Sequence, residues 1–122
     1  MLKVQVELKE SPGKGLGIFA KELIPKGKRI WKEDNVDMKF HEDALAELTP
    51  QEEKFLEKYA FLENGLWVLC ADEGKYMNHS DTPNTYDNIA GTWALEDIQP
   101  GEEITCNYYE ICEFVKEHGL GF

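Results

Sequence analysis

The sequence predicts a mainly β fold with short helices. Three observations carry that reading: short apolar runs with the two-residue period of strands, glycine and proline turns between them, and two stretches with the period of a helix. Leu2, Val4, Val6 and Leu8 alternate with Lys3, Gln5, Glu7 and Lys9, so residues 2–9 read as a half-buried strand. Ser11-Pro12-Gly13-Lys14-Gly15 interrupts it, residues 16–20 form a second strand, and Pro25-Lys26-Gly27 turns the chain into a third at 29–32. Thr49-Pro50-Gln51-Glu52 has the form of a capping box with proline at the first helical position. Phe55, Leu56, Tyr59 and Ala60 then fall on one face, and residues 41–48 read as a shorter helix before it. Asn64-Gly65 is a tight turn leading into a buried strand at 66–70. Further short strands are expected at 92–95 and 103–107. Ile111, Phe114, Val115 and His118 recur at helical spacing over 109–118, and Gly119 stops the helix.

One internal echo stands out. Ala20, Ile24, Gly27 and Ile30 have the same spacing as Ala94, Ile98, Gly101 and Ile104, and each set brackets a proline turn. The echo is too short for a repeat architecture and predicts two similar hairpins. No linker or low-complexity stretch divides the 122 residues, so a single domain over 1–122 is expected.

The net charge of −11 leaves no basic stripe for a phosphate backbone, which argues against direct binding of nucleic acid. An acidic surface steers cationic partners such as a lysine-rich tail, or it serves solubility alone. Cys70, Cys106 and Cys112 are odd in number and form no C-x-x-C pair, which fits free thiols in a reducing compartment better than disulfides or zinc. His41, His79 and His118 are too scattered to suggest a metal site. No apolar run approaches the roughly 18 residues of a membrane span, and residues 1–11 lack a signal-peptide core. A cytoplasmic location follows by default, with the nucleus left open for a eukaryotic host.

Three segments carry side chains suited to chemistry. Gly13-Lys14-Gly15-Leu16-Gly17-Ile18-Phe19-Ala20 allows close approach of backbone to a ligand, yet it is not a dinucleotide fingerprint and by itself reads as a glycine-rich turn. Tyr76-Met77-Asn78-His79-Ser80-Asp81-Thr82-Pro83-Asn84 is dense in hydrogen-bonding groups, and by itself reads as a loop that satisfies its own backbone. Gly101-Glu102-Glu103-Ile104-Thr105-Cys106-Asn107-Tyr108-Tyr109 is a strand ending in paired tyrosines, and by itself reads as an edge strand with aromatic packing.

In their order and spacing the three together closely resemble the SET-domain protein lysine methyltransferases. The resemblance runs from about Lys9 to Tyr109 and is carried by Gly15-Leu16-Gly17-Ile18-Phe19-Ala20, Asn78-His79-Ser80-Asp81-Thr82-Pro83-Asn84 and Gly101-Glu102-Glu103-Ile104-Thr105-Cys106-Asn107-Tyr108. The second and third motifs, about 20 residues apart, are highly specific as a pair; the glycine motif alone is not.

The resemblance implies a SET-type fold of several small sheets around a C-terminal pseudoknot, with a helical insertion and a C-terminal helix. It implies S-adenosylmethionine as cofactor, transfer of methyl groups to a protein lysine, and a lysine-containing, basic protein or peptide as substrate. Backbone around Lys14, Gly15, Leu16 and Gly17 is then expected to hold the methionine part of the cofactor, with Asn78 and His79 also touching it. Tyr108 matches the family's active-site tyrosine. Tyr76, Cys106 and Tyr109 are expected to line the lysine channel, and Phe114 is a candidate wall for adenine or a core residue. Cys106 stands where the family usually has Phe or Tyr, which predicts a roomy channel that allows higher methylation or an unusual acceptor. Asn107 stands where Asp is usual and puts one local hydrogen bond in question. No cysteine-rich flank is present, so the helix at 109–118 or a partner subunit, as in a homodimer, is left to close the channel. A catalytically weak scaffold module and a methyltransferase for a small amine are the competing readings.

Overall fold

In the computed structural model, which describes residues 1–120, the two echoing proline turns face one another. Ile24 and Ile98 exchange both backbone hydrogen bonds, at 2.9 and 2.8 Å. On either side, the Gly101 N–H donates to the Ala20 carbonyl at 2.7 Å, and the Gly27 N–H donates to the Ala94 carbonyl at 2.9 Å. The echo is therefore two turns paired about an approximate two-fold axis, not two separate hairpins. Spacing records which positions are alike; it carries no information on which strand each one bonds. Gly27 and Gly101 both sit at φ 87°, in the left-handed region that a Cβ disfavours. The six alanine and isoleucine side chains of the echo are each 2% exposed or less and form the centre of the main core with Ile18, Met77 and Cys106.

Four small sheets are built around this core. Strands β1 (Val6–Ser11) and β2 (Gly15–Ala20) form an antiparallel hairpin, with Val6 opposite Ala20 and Ser11 opposite Gly15. β3 (Arg29–Trp31), β9 (Gly91–Ala94) and β8 (Thr85–Asn88) form an antiparallel sheet in that order. β4 (Met38–His41), β6 (Leu66–Leu69) and β5 (Ala60–Glu63) form a third sheet. The fourth is the parallel pair β7 (Asn78–His79) and β10 (Thr105–Cys106), which ties the third motif to the second.

The insertion carries helix α1 (Pro50–Tyr59). The expected capping box is formed: the Glu52 N–H donates to Thr49 Oγ1 at 3.2 Å, and the Thr49 N–H donates to Glu52 Oε1 at 2.8 Å. Leu56 of this helix joins Ala60 and Trp67 in a second apolar cluster, onto which Phe114 packs. Residues 42–47, expected as a helix, form a 3₁₀ helix capped by His41. The Asn64-Gly65 turn has positive φ at both residues, 51° and 77°, as a type I′ turn requires.

Two expectations need correction. The strand expected over 2–9 is divided between two sheets. Leu2 bridges Trp31 and the Lys3 N–H donates to the Ile30 carbonyl at 2.7 Å, whereas regular pairing with β2 begins at Val6. Alternation reports which face each side chain takes, and a bend between sheets leaves that alternation intact. The helix expected over 109–118 is two helices, α2 (Tyr108–Ile111) and α3 (Glu113–His118). Cys112 between them is extended, at φ −120° and ψ 112°, and its buried sulfur accepts the Leu62 N–H at 3.4 Å. One non-helical residue barely disturbs a 3.6-residue pattern, so the periodicity concealed the break.

Because Ile98 is fully buried on the axis of the paired turns, Ile98→Ala is expected to cost about 2–5 kcal/mol in urea unfolding. A loss below about 1 kcal/mol would mean that the core collapses around the site and does not depend on this pairing.

Candidate functional site

The short β7–β10 ladder sets Asn78 opposite Thr105 and His79 opposite Cys106. It is extended by the Ser80 N–H, which donates to the Cys106 carbonyl at 2.9 Å. Asn84 locks the other flank: its Oδ1 accepts the Thr105 N–H at 3.0 Å, and its Nδ2 donates to the Glu103 carbonyl at 2.8 Å. Thr85 Oγ1, 1% exposed, donates to the Thr105 carbonyl at 2.8 Å.

The side chain of Glu103 joins three separate parts of the chain. Its Oε1 accepts from Ser11 Oγ at 2.8 Å and its Oε2 accepts from Asn78 Nδ2 at 2.9 Å. Asn78 Nδ2 also donates to the Leu16 carbonyl at 3.0 Å, which holds the glycine-rich hairpin against the second motif. Gly17 makes this approach possible. A Cβ there would lie 2.5 Å from Glu103 Oε2 and 2.9 Å from Asn78 Nδ2.

His79 is 9% exposed and fixes the third motif. Its Nδ1 accepts the Tyr108 N–H at 3.0 Å, so the proton of a neutral ring lies on Nε2, which donates to Asp81 Oδ1 at 2.8 Å. The Tyr108 ring stands 5.4 Å from the His79 ring, and its hydroxyl donates to the Met77 carbonyl at 2.6 Å. Burial raises the Tyr108 phenol well above its usual range, and nearby Cys106, Cys112, Glu103 and Tyr59 push the same way. Tyr108 therefore keeps its proton at any physiological pH. That proton is directed to Met77.

Tyr108 stands between two cavities. The smaller, of about 350 Å³, is lined by Gly13, Lys14, Gly15, Leu16, Tyr76, Asn78 and His79, with Leu120 at its edge. The larger, of about 850 Å³, is lined by Met77, Cys106, Ile111 and Cys112 on one side and by Trp31, Phe61 and the β8–β9 hairpin on others. Tyr108, Tyr59, Lys58 and Lys75 belong to both linings. The Tyr59 and Tyr76 rings meet edge to face at 5.6 Å, beside the boundary.

The residues expected at the site are thus distributed unevenly. Lys14, Gly15, Leu16, Asn78 and His79 line the smaller cavity, and Gly17 stands behind it against Glu103 and Asn78. Cys106 lines the larger cavity, whereas Tyr76 lines the smaller. Tyr109 is 42% exposed, packs edge-on against His79 at 5.7 Å, and is in neither lining. Phe114 packs on Trp67 at 5.5 Å and on His118 at 4.4 Å, and it too is in neither lining. Asn107 caps α2 through its Oδ1, which accepts the Tyr109 N–H at 2.9 Å. An aspartate would accept the same bond, so the departure at this position retains the cap.

Glu103, Ser11, Asn84, Tyr59 and Asp87 were not singled out from the sequence as site residues. Glu103 and Asn84 lie inside the motifs, where their spacing was the available signal. Ser11, Tyr59 and Asp87 come from segments that only folding brings near. Among the described residues, no group of three or more His, Cys, Asp or Glu side chains is arranged to hold a metal ion.

Two cavities meet at the half-buried Tyr108, beside the parallel β7–β10 pair. The family comparison agrees with that architecture. A model of the SET domain matches residues 15–109, and the chain belongs to the SET-domain family. It is similar to the histone-lysine N-methyltransferase set5 of Schizosaccharomyces pombe, at 29% identity over 133 aligned positions. That match covers 82% of this chain and 40% of the yeast protein, so the chain spans about two fifths of the relative's length. Among solved structures, a candidate histone methyltransferase of Plasmodium falciparum superposes with a TM-score of 0.61 at 25% identity, over 85% of this chain and 96% of the other. A chain of a humanized mutant of the Chaetomium thermophilum Polycomb Repressive Complex 2 superposes with a TM-score of 0.68 at 21% identity, over 93% of this chain and 16% of the other.

The Glu103 carboxylate gives a direct check on this construction. Glu103→Ala leaves Ser11 Oγ and Asn78 Nδ2 short of an acceptor and is expected to cost roughly 1–3 kcal/mol. Amide shifts should move in the glycine-rich hairpin as well as around Asn78. Shifts confined to the neighbours of residue 103 would contradict the linking role.

Proposed function

We propose that the chain transfers methyl groups from S-adenosylmethionine to the side-chain amine of a protein lysine. The observation that carries this reading is the position of Tyr108, which belongs to both cavities, one suited to the cofactor and one to the substrate. The likeness to a histone-lysine methyltransferase supports it.

The smaller cavity suits the donor. Its volume of about 350 Å³ is near the lower end for a small-molecule site. Lys14, Lys58 and Lys75 offer cationic partners for a carboxylate, and the Leu16 carbonyl offers an acceptor for an amine. S-adenosylmethionine, when bound, supplies a methyl group on a cationic sulfur.

The protein's residues then have to align an amine with that methyl group and surround the moving charge with oxygen acceptors. The Tyr108 hydroxyl is placed for this, at the boundary of the two cavities, with its proton directed to the Met77 carbonyl and an oxygen that is an acceptor by nature. Its phenol form matters: a phenolate would pair with the sulfonium or the ammonium and hold the ground state. His79 positions Tyr108 through the backbone N–H, and the protonated Nε2 anchored on Asp81 keeps the acceptor nitrogen aimed correctly.

The substrate is proposed to be a basic protein or peptide, drawn by the net charge of −11. Cys106 in the wall of the larger cavity is smaller than the aromatic residue usual there, which supports a channel that admits an already methylated lysine.

The deciding experiment is calorimetry with S-adenosylmethionine, followed by transfer of labelled methyl groups to a mixture of basic proteins. Binding and transfer are expected; binding without transfer would favour a scaffold module, and absence of binding would refute the proposal. Tyr108→Phe is expected to lower turnover by roughly a hundredfold or more while leaving cofactor affinity within a few-fold. An unchanged rate would remove the hydroxyl from the chemistry. Mass spectrometry of the product should find di- or trimethyllysine, and Cys106→Phe should shift it toward monomethyllysine. A purely monomethylated product from the unaltered protein would contradict the roomy channel.

A further inference from the structure

Asp87 in the wall of the larger cavity is a carboxyl group with one oxygen bonded and the other left over. It lies on β8 two residues after Thr85, so the two side chains share a face of the strand. Thr85 is bonded to the Thr105 carbonyl, which directs this face toward β10 and Cys106. Asp87 Oδ1 accepts from Thr92 Oγ1 at 2.5 Å, but Oδ2 is buried with no hydrogen-bond partner. An orphaned carboxylate oxygen is costly, because burial removes its water and nothing replaces it. Among the described residues, no cation is found to compensate it. The groups around it are Thr92 from β9, Cys106 from β10 and Glu110 from α2, while Arg29 of β3, in the same cavity wall, lies over Trp93 at 5.5 Å.

We propose that Asp87 receives the ammonium group of the incoming lysine and takes its proton, acting as the base that frees the amine for methylation. This rests on the methyltransferase reading above. The terminal torsion of an aspartate is broad, so a small turn of the carboxyl brings either oxygen to face the cavity. An ammonium entering beside Cys106 and Tyr108 meets a carboxylate whose second oxygen is unsatisfied. The proton passes from the ammonium nitrogen to an Asp87 oxygen. The nitrogen keeps the electron pair of the broken N–H bond, and Asp87 becomes a neutral carboxylic acid. Burial favours that direction, since it penalises the charged carboxylate; it raises Asp87 to about 6, with Glu110 adding to the rise and the Thr92 hydrogen bond opposing it. A neutral acid also leaves no negative charge in the channel to hold the amine protonated. The proton then passes to solvent once the product has left the larger cavity.

The sign of the stability effect separates this role from a structural one. Asp87 is raised in the folded state, so folding favours its protonated form. Its contribution is present at low pH and is lost as pH rises through about 6. Ionised Asp87 is thus a burden on the fold at neutral pH, retained for the substrate. Asp87→Asn is expected to raise the melting temperature at pH 8, and a lowered one would speak for a structural role.

The binding test needs no cofactor and no turnover. Carbon-13 NMR of the aspartate carboxyl groups is followed through pH 4–9 with and without n-butylammonium as probe. A carboxyl assigned by its loss in Asp87→Asn should titrate near pH 6 and move to lower pH when the probe binds. No displacement at saturating probe would overturn the proposal. With active protein, kcat/KM for a lysine peptide should fall off below about pH 6, and Asp87→Asn should lose that limb along with roughly a hundredfold or more in rate, cofactor affinity being unchanged. Asp87→Asn with normal rate and an unchanged pH profile overturns the role of Asp87 alone. An Asp87 signal that responds to the probe in a protein that never transfers methyl groups refutes the methyltransferase reading and leaves the amine site standing.

Discussion

The parallel pairing of Asn78 with Thr105 and of His79 with Cys106 is a very short ladder, yet the site depends on it. Two residues per strand supply little stability by themselves. The pairing persists because side chains on both flanks over-determine it. Asn84 and Thr85 bond the backbone of residues 103–105 from one side, and Glu103 reaches Ser11 and Asn78 on the other. What the ladder supplies is position. It brings Tyr108 beneath His79, and it brings the glycine-rich hairpin, the second motif and the third motif to one point.

The site's chemistry follows from burial as much as from residue type. Tyr108 is held as a phenol by its surroundings, and Cys106 is pushed far above the usual thiol range by full burial, with Asp87 and Glu110 adding to it. Cys70 is driven to about 12 by burial and by Asp37 and Asp72. Cys70 and Cys106 are therefore poor nucleophiles at neutral pH, and they behave in the wall of the larger cavity as small apolar groups. Asp87 is the exception in kind: an acid near the neutral range, in the same wall.

Much of this was legible in the sequence, for identifiable reasons. Turn residues declared themselves: Asn64-Gly65, Pro25-Lys26-Gly27 and Gly101 all adopt the backbone that their chemistry favours. The Thr49 capping box is local and was readable as such. Lys14, Gly15, Leu16, Asn78 and His79, singled out from two separate motifs, do line one cavity. The rest depended on partners distant in sequence. Which sheet Leu2 joins, and that the turns at Ile24 and Ile98 bond each other, are set by contacts between residues about 29 and 74 apart. The break at Cys112 comes from Leu62, fifty residues away. Phe114 lies on a helical face that suits core and ligand equally, and only the fold brings it against Trp67.

The central claim is that donor and acceptor occupy separate cavities that meet at Tyr108. Amide chemical-shift mapping with S-adenosylhomocysteine tests it most directly. The account predicts shifts at Lys14, Gly15, Leu16, Asn78, His79 and Tyr108, with Asp87, Ile89 and Gly91 in the larger cavity unmoved. Shifts centred on Asp87, Ile89 and Gly91, with the glycine-rich hairpin silent, would contradict it.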